Sequence, residues 1–122
     1  MPDPAVEPTV RLSYDRPPGS TAAFVSALAD RRPGRLPEGS TSPRIEGSIA
    51  HLTWSDTLLR RYSRVCGFGD TSPLPLPFPH IVGSGLHLRM LLRPEFPVRL
   101  PGLVHVWHRV WQSATVGASD AL

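Results

Sequence analysis

The alternation of apolar and polar residues predicts two short strands in the first half of the chain. Residues 10–14 alternate as expected for a strand with one buried face, and residues 44–49 repeat the pattern more weakly. The run 31–43 between them is rich in Pro, Gly, Ser and Arg, and this composition indicates a loop.

Two helices are predicted from apolar residues that recur every three or four positions. The first covers residues 22–29, with Ser20 or Thr21 as its cap. The residues on its apolar side are Phe24, Val25 and Leu28. The second begins after Thr53 or Ser55, either of which can cap it.

The second helix has the clearer signals at both ends. Asp56 complements the positive N-terminal end of the helix dipole, and Gly67 stands where a left-handed C-cap is expected. Its apolar stripe consists of Trp54, Leu58, Tyr62 and Val65. Cys66 lies beside this stripe, and we expect it to be a small core residue.

Residues 80–92 are the most apolar part of the chain and predict one buried central helix. The Pro-rich run 73–79 before them cannot be helical, and Arg93-Pro94 after them ends the helix. A helix that is apolar nearly all round belongs inside a protein. Residues 83–85 are small, so another backbone or a ligand can come close to the first turns.

Residues 103–112 give the best strand pattern in the chain. Both faces carry apolar residues, with Val104, Val106 and Val110 on one side and Leu103, Trp107 and Trp111 on the other. Such a strand requires cover on both sides.

Composition is consistent with one small domain of 122 residues that contains much loop, because the chain has 15 Pro and 10 Gly. No long apolar run and no secretory signal are present in the sequence, so we expect a cytoplasmic protein and no membrane partner. The single cysteine excludes an internal disulfide.

The charge pattern argues against nucleic acid as a partner. The formal net charge is +3, and all 13 basic residues are arginines that are scattered along the chain. Nucleic-acid-binding proteins cluster their basic residues. A mildly basic surface suits an anionic thioester carrier such as coenzyme A equally well.

Several segments between Arg61 and Arg109 carry a family resemblance. They are Arg61-Tyr62-Ser63-Arg64-Val65-Cys66-Gly67-Phe68, Leu74-Pro75-Leu76-Pro77-Phe78-Pro79-His80, the helix that follows, Glu95-Phe96-Pro97 and Pro101-Gly102-Leu103-Val104-His105-Val106. In this order and spacing they resemble the N-terminal, non-catalytic half of double-hotdog MaoC-like (R)-3-hydroxyacyl-thioester dehydratases, the hydratase-2 family. A weaker likeness reaches back through residues 31–37.

The resemblance implies an α+β fold that is a partial hotdog, with a central buried helix and an incomplete antiparallel sheet. The expected organisation is a poorly ordered N-terminal arm with a short helix at 1–30, a partial hotdog half at 31–112 and a tail at 113–122. The family's later strands have no counterpart in the sequence. We therefore expect a truncated half.

The catalytic residues that the family uses are not found at their expected place. In these dehydratases a segment of the type Tyr-x-x-x-Ser-Gly-Asp-x-Asn-Pro-x-His supplies the Asp and His that hold the water, whereas here Phe68 follows Gly67. Asp70 is a weak catalytic candidate, with loop capping as the alternative. His80 is a second weak candidate. The alternative is that His80 has no catalytic role and that its ring hydrogen-bonds to a nearby carbonyl at the start of the helix.

Metal binding is not predicted from the sequence. His80 and His87 are seven residues apart on one helix face, and His105 and His108 could join them. However, no third short-spaced ligand accompanies either pair, and one histidine pair is not a zinc signature.

The resemblance also implies a substrate tunnel beside the central helix. Gly83, Ser84, Gly85 and Leu86 are the candidate tunnel residues, and close packing of helix on sheet is the alternative. The implied substrate is an acyl thioester on coenzyme A or acyl carrier protein, with no other cofactor.

Two functions remain open from the sequence. The chain is either the substrate-binding, non-catalytic half of an acyl dehydratase of fatty-acid metabolism, inactive alone, or a non-catalytic interaction subunit. The interaction subunit would pair with a separately encoded catalytic hotdog chain, and self-association is the alternative to such a partner.

Overall fold

The structure is a computed structural model that describes residues 8–69 and 73–122. The elements in chain order are β1 (Thr9–Tyr14), α1 (Ser20–Leu28), β2 (Arg44–Ile49), α2 (Asp56–Cys66), α3 (Phe78–Val82) and α4 (Ser84–Leu91). This mixture confirms the α+β class. Within the described ranges, no helix is long and apolar enough to cross a membrane.

β1 and β2 form a two-stranded parallel sheet in which Thr9 lies opposite Arg44 and Tyr14 opposite Ile49. The predicted antiparallel arrangement is therefore wrong for these strands. The chain leaves β1, passes through α1 and the loop 29–43, and enters β2 in the same direction. A parallel pair requires such a crossover. Two parallel strands do not make the curved antiparallel sheet of a hotdog, so the hotdog itself is not confirmed.

Helix α4 packs closely on both β2 and the start of α1. A side chain at Gly47 would meet the Sδ of Met90 at 2.8 Å and the Cδ1 of Leu86 at 2.9 Å. At Gly85 the approach is tighter, because a Cβ there would overlap the carbonyl oxygen of Pro18. Both contacts depend on glycine having no side chain.

The predicted single central helix is in fact two helices, α3 and α4, which meet at Gly83. The first begins at Phe78, so the prediction that residues 73–79 are not helical is wrong at the end of that run, because proline is tolerated in the first turn of a helix. This residue is the C-cap of α3 and the N-cap of α4, with φ −87° and ψ 10°. Glycine favours such a break because it is a poor helix former. The predicted full burial is also wrong, since only Gly85 is buried in α4. The helix is covered on the side of β2 and α1, and its other side faces a cleft.

The predicted apolar side of α1 is wrong. Phe24, Val25 and Leu28 are more than half exposed, whereas Ala23 and Ala27 are buried. The buried side has small residues because α1 lies close to the glycine-containing turn of α4. Neither predicted cap is used either, since the N-cap is Gly19, which makes no side-chain hydrogen bond.

The predicted caps of α2 are confirmed. The hydroxyl of Ser55 accepts a hydrogen bond from the Leu58 N–H at 3.2 Å, and Gly67 has the left-handed φ of 74°. The buried face is rotated from the predicted stripe, because α2 packs through Leu59 and Ser63.

Two residues of that predicted stripe, Leu58 and Val65, are exposed. Cys66 is also exposed, so its prediction as a core residue is wrong. Cys66 is the last residue of α2, next to the Gly67 C-cap, and α2 is buried through Leu59 and Ser63 instead.

An apolar cluster surrounds Phe78 at the start of α3. Its buried members are Leu59, Leu74, Phe78 and Val116. Trp54 packs edge to face on Phe78 at 5.6 Å, and its indole N–H donates to the carbonyl of Ala118 at 3.0 Å. Residues of the predicted tail therefore complete this core.

Residues 103–112, called the apolar segment below, do not form the predicted strand. β1 and β2 pair with each other, and no third strand is present in the described parts of the chain. A strand needs a neighbour to hydrogen-bond with, and the apolar segment has none there. Val104, Val106, Trp107 and Trp111 expose between 67% and 88% of their surface.

Candidate functional site

The candidate site is a cleft of about 600 Å³ between the apolar segment and helices α3 and α4. Its lining includes Ile45, His80, Gly83, Leu86, His87, Met90, His105, Trp107, His108 and Arg109. Three residues predicted from the sequence, His80, Gly83 and Leu86, are thus brought to one place. We call this space the histidine cleft.

The other predicted site residues lie elsewhere. Gly85 faces the backbone of Pro18 and Gly19, which lie before α1 and outside the sheet. Ser84 does not line the histidine cleft. Asp70 lies outside the described residues. The tunnel and catalytic assignments therefore stay predictions.

Four histidine rings meet in the histidine cleft. The ring centres are 5.3 Å apart for His80–His87, 4.6 Å for His80–His108, 5.3 Å for His105–His108 and 6.1 Å for His87–His105. The sequence pairs them at spacings of seven and three residues. It does not show that the two pairs come together, because that depends on where the chain returns after α4.

Burial and mutual repulsion disfavour the protonated form of two of these rings, which lowers their pKa. Burial lowers the pKa of His80 below its ordinary value, and the neighbouring charges of His87, His108 and His105 lower it further. Burial is also the main cause of the lowered pKa of His87. Neutral imidazoles can accept protons or bind metal ions.

The nitrogens of His105 can be assigned from one hydrogen bond. Its Nε2 lies 2.7 Å from the carbonyl oxygen of Trp107. A carbonyl only accepts, so Nε2 carries the proton and Nδ1 of the neutral ring holds a free lone pair.

The lining of the histidine cleft does not include the carboxylate that a dehydratase pairs with its histidine. The charged residue among the lining side chains is Arg109, whose guanidinium lies 4.9 Å from the ring centre of Trp107. Removal of water from a 3-hydroxyacyl thioester by an Asp and a His is therefore not supported at this place.

A second, more apolar cleft of about 420 Å³ lies beside the first. Its lining includes His87, Leu91, Phe96, Leu100, Leu103, Val104 and His105. Sequence reasoning missed it because three prolines interrupt the apolar residues after α4, which hides any regular spacing. We call this space the apolar cleft.

Arg32 holds one wall of the apolar cleft in place. Its guanidinium donates hydrogen bonds to the carbonyl oxygens of Leu91 at 3.0 Å, Arg93 at 2.9 Å and Phe96 at 2.6 Å. It thereby fixes the chain as it leaves α4. Sequence reasoning placed Arg32 in a loop and gave it no role, because its partners are about 60 residues away.

Comparison of the chain with protein-family models, with curated proteins and with solved structures gives no match. The likeness to MaoC-like dehydratases rests on the residues quoted above and stays a hypothesis.

Proposed function

We propose that this chain is the non-catalytic, acyl-thioester-binding half of a MaoC-like dehydratase and acts with a partner hotdog chain. The observation that supports binding is the apolar cleft between the end of α4 and the start of the apolar segment. Its volume of about 420 Å³ falls within the usual size of small-molecule sites. Leu91, Phe96, Leu100 and Leu103 offer hydrocarbon surface for an acyl tail.

The strength of such binding follows from the buried tail. Each CH₂ group removed from water contributes about 0.8 kcal/mol, so four buried methylenes would contribute about 3 kcal/mol. The formal net charge of +3 favours the phosphates of a coenzyme A carrier.

Catalysis is assigned to the partner. Phe68 follows Gly67 where the dehydratases have Asp, and the sequence contains no Asn-Pro-x-His. The isolated chain is expected to hydrate no trans-2-enoyl-CoA above a blank, and measurable hydration would overturn the non-catalytic assignment.

Binding can be tested with octanoyl-CoA and two matched variants in the apolar segment. Leu103 lines the apolar cleft, whereas Val106 does not and is 88% exposed. Leu103→Asp is expected to weaken octanoyl-CoA binding at least about tenfold, since a charge in the tail site must be desolvated. Val106→Asp should bind like the wild type. Equal binding by both variants and the wild type would contradict the proposed site.

The second candidate, a non-catalytic interaction subunit, is supported by the exposure of the apolar segment. An extended segment with free backbone N–H and C=O groups can add to the edge of another chain's sheet. Val106→Asp is then expected to reduce the fraction of the chain that sediments together with a co-expressed catalytic hotdog chain. Its binding of octanoyl-CoA should persist. If wild type and Val106→Asp both sediment apart from that chain, the pairing is wrong.

A further inference from the structure

Four of the chain's five histidines lie in one cluster, in which neighbouring rings contact one another. With zinc–nitrogen bonds of about 2.0–2.1 Å, the ring centres of four tetrahedrally arranged imidazoles lie about 5 Å apart. Four of the six separations in the cluster, those between neighbouring rings, run from 4.6 to 6.1 Å.

His105 has the hydrogen bond that metal-binding histidines typically make. Its Nε2–H donates to the Trp107 carbonyl, which leaves Nδ1 as the ligand nitrogen. None of the rings of His80, His87 and His108 hydrogen-bonds to a residue that the structure describes. Their lone pairs are therefore available.

The fifth histidine, His51, is paired with a carboxylate and serves as a comparison for the four in the cluster. His51 lies 3.0 Å from a carboxylate oxygen of Asp15 on the surface. The lining of the histidine cleft has no comparable carboxylate. The cluster is thus not explained by ion pairing.

The ligand nitrogens have not converged on one point. In residues 8–69 and 73–122, no group of three or more His, Cys, Asp or Glu has its donor atoms placed to hold an ion. Because the donor atoms do not converge, ligation requires the rings to rotate from their present edge-to-face arrangement, in which the ring planes meet at 61° to 85°. Such movement is cheap, because residues 104–109 make no backbone hydrogen bond to another described element and are exposed.

We propose that His80, His87, His105 and His108 bind one divalent transition-metal ion of the Zn²⁺ class, which fastens the apolar segment to α3 and α4. Imidazole ligands suit Zn²⁺, Ni²⁺ and Cu²⁺, and four of them with no thiolate or carboxylate complete a closed structural site. The ion cross-links two parts of the chain that are about 20 residues apart in sequence. This role goes beyond the proposed function, since acyl binding and pairing need no metal.

The experiment uses the full chain without a histidine tag and with Cys66→Ser, because the exposed thiol would bind metal by itself. Co²⁺ is titrated while its visible d–d absorption is followed, and Zn²⁺ then displaces it. We expect one tetrahedral ion per chain. His105→Ala and His108→Ala, which change exposed residues and leave the fold intact, should each weaken binding at least about tenfold.

His51→Ala is the matched control, since it removes a surface histidine outside the cluster, and it should bind as tightly as the parent chain. Equal loss in His51→Ala and His105→Ala would overturn the site in favour of adventitious surface binding. Absence of tetrahedral Co²⁺ bands at neutral pH would overturn it too. The same holds if the fluorescence of a chain with Trp54→Phe and Trp111→Phe, in which Trp107 is the remaining tryptophan, responds to protons and not to Zn²⁺, because the cluster would then be a pH-sensitive contact.

Discussion

Arg32 binds the carboxylate of Asp30 through two parallel hydrogen bonds, from Nε at 3.0 Å to Oδ1 and from Nη2 at 2.6 Å to Oδ2. The Asp30 side chain is only 7% exposed and that of Arg32 22%. The same guanidinium also holds the carbonyls that follow α4. One side chain therefore joins the end of α1 to the wall of the apolar cleft.

Arg32→Ala is expected to destabilise the chain by about 2–3 kcal/mol, since it leaves the carbonyls of Leu91 and Phe96 without this donor and the Asp30 carboxylate with backbone N–H donors alone. Urea unfolding measures this loss. Arg32→Lys is the control that keeps the charge but not the planar fork, and it should recover only part of the stability. Full stability of Arg32→Ala would show that water replaces the guanidinium.

Asp30 should make stability depend on pH in the acid range. The hydrogen bonds from Arg32 lower the pKa of Asp30 from 3.8 to about 2, so the folded state binds the proton less tightly than the unfolded state. Its contribution is fully present above pH 3.8 and is lost as the pH falls towards 2. Denaturation midpoints at pH 5, 4 and 3 measure this, and Asp30→Asn should flatten that part of the profile. An unchanged profile in Asp30→Asn would refute the assignment.

Local signals in the sequence were sufficient where an element depends on a few neighbouring residues. Ser55 and Gly67 marked the ends of α2 because a cap needs only the backbone of the same turn. Strand β2 matches its predicted range, residues 44–49, and β1 extends the predicted range by one residue.

Long-range arrangements could not be predicted in the same way. The direction of the β1–β2 pair depends on the path of the chain through α1, and both alternations fit either direction. The predicted face of α1 was wrong because α1 packs against α4, and the residues that it buries are the small Ala23 and Ala27. The histidine cluster and the apolar cleft likewise form only where residues after Arg93 return to α4.

Gly85→Ala should be strongly destabilising although alanine is the better helix former. The added Cβ would overlap the Pro18 carbonyl oxygen, which is backbone and cannot move aside cheaply. Overpacking costs about 1–3 kcal/mol, and overlap with backbone belongs at the upper end of that range, so against the helix gain of about 1 kcal/mol we expect a net loss of up to about 2 kcal/mol.

Gly83→Ala is the matched control for that substitution, two residues away in the same turn. Its Cβ would meet the Pro79 carbonyl oxygen at 3.3 Å and the Ile49 Cδ1 at 3.4 Å, so small shifts accommodate it. Its melting temperature should stay near that of the wild type. Similar melting temperatures for both variants would mean that α4 does not pack on the start of α1.

The isolated chain is not expected to behave as a compact monomer. Trp107 and Trp111 are 67% and 77% exposed on the apolar segment, and the large side chains of Phe24 and Leu28 are exposed on α1. Exposed apolar patches of this kind favour association, and a two-stranded sheet leaves its edges open for pairing.

Sedimentation at micromolar concentration, read together with tryptophan emission, tests this expectation. We expect a concentration-dependent shift to larger species and a blue shift of the emission as the two tryptophans become covered. Trp107→Ser with Trp111→Ser should keep the chain smaller and leave Trp54, packed on Phe78, as the reporter of folding. A sharp monomer peak whose emission is already blue-shifted would show that the apolar segment is covered by the chain itself, and the pairing role would then be wrong.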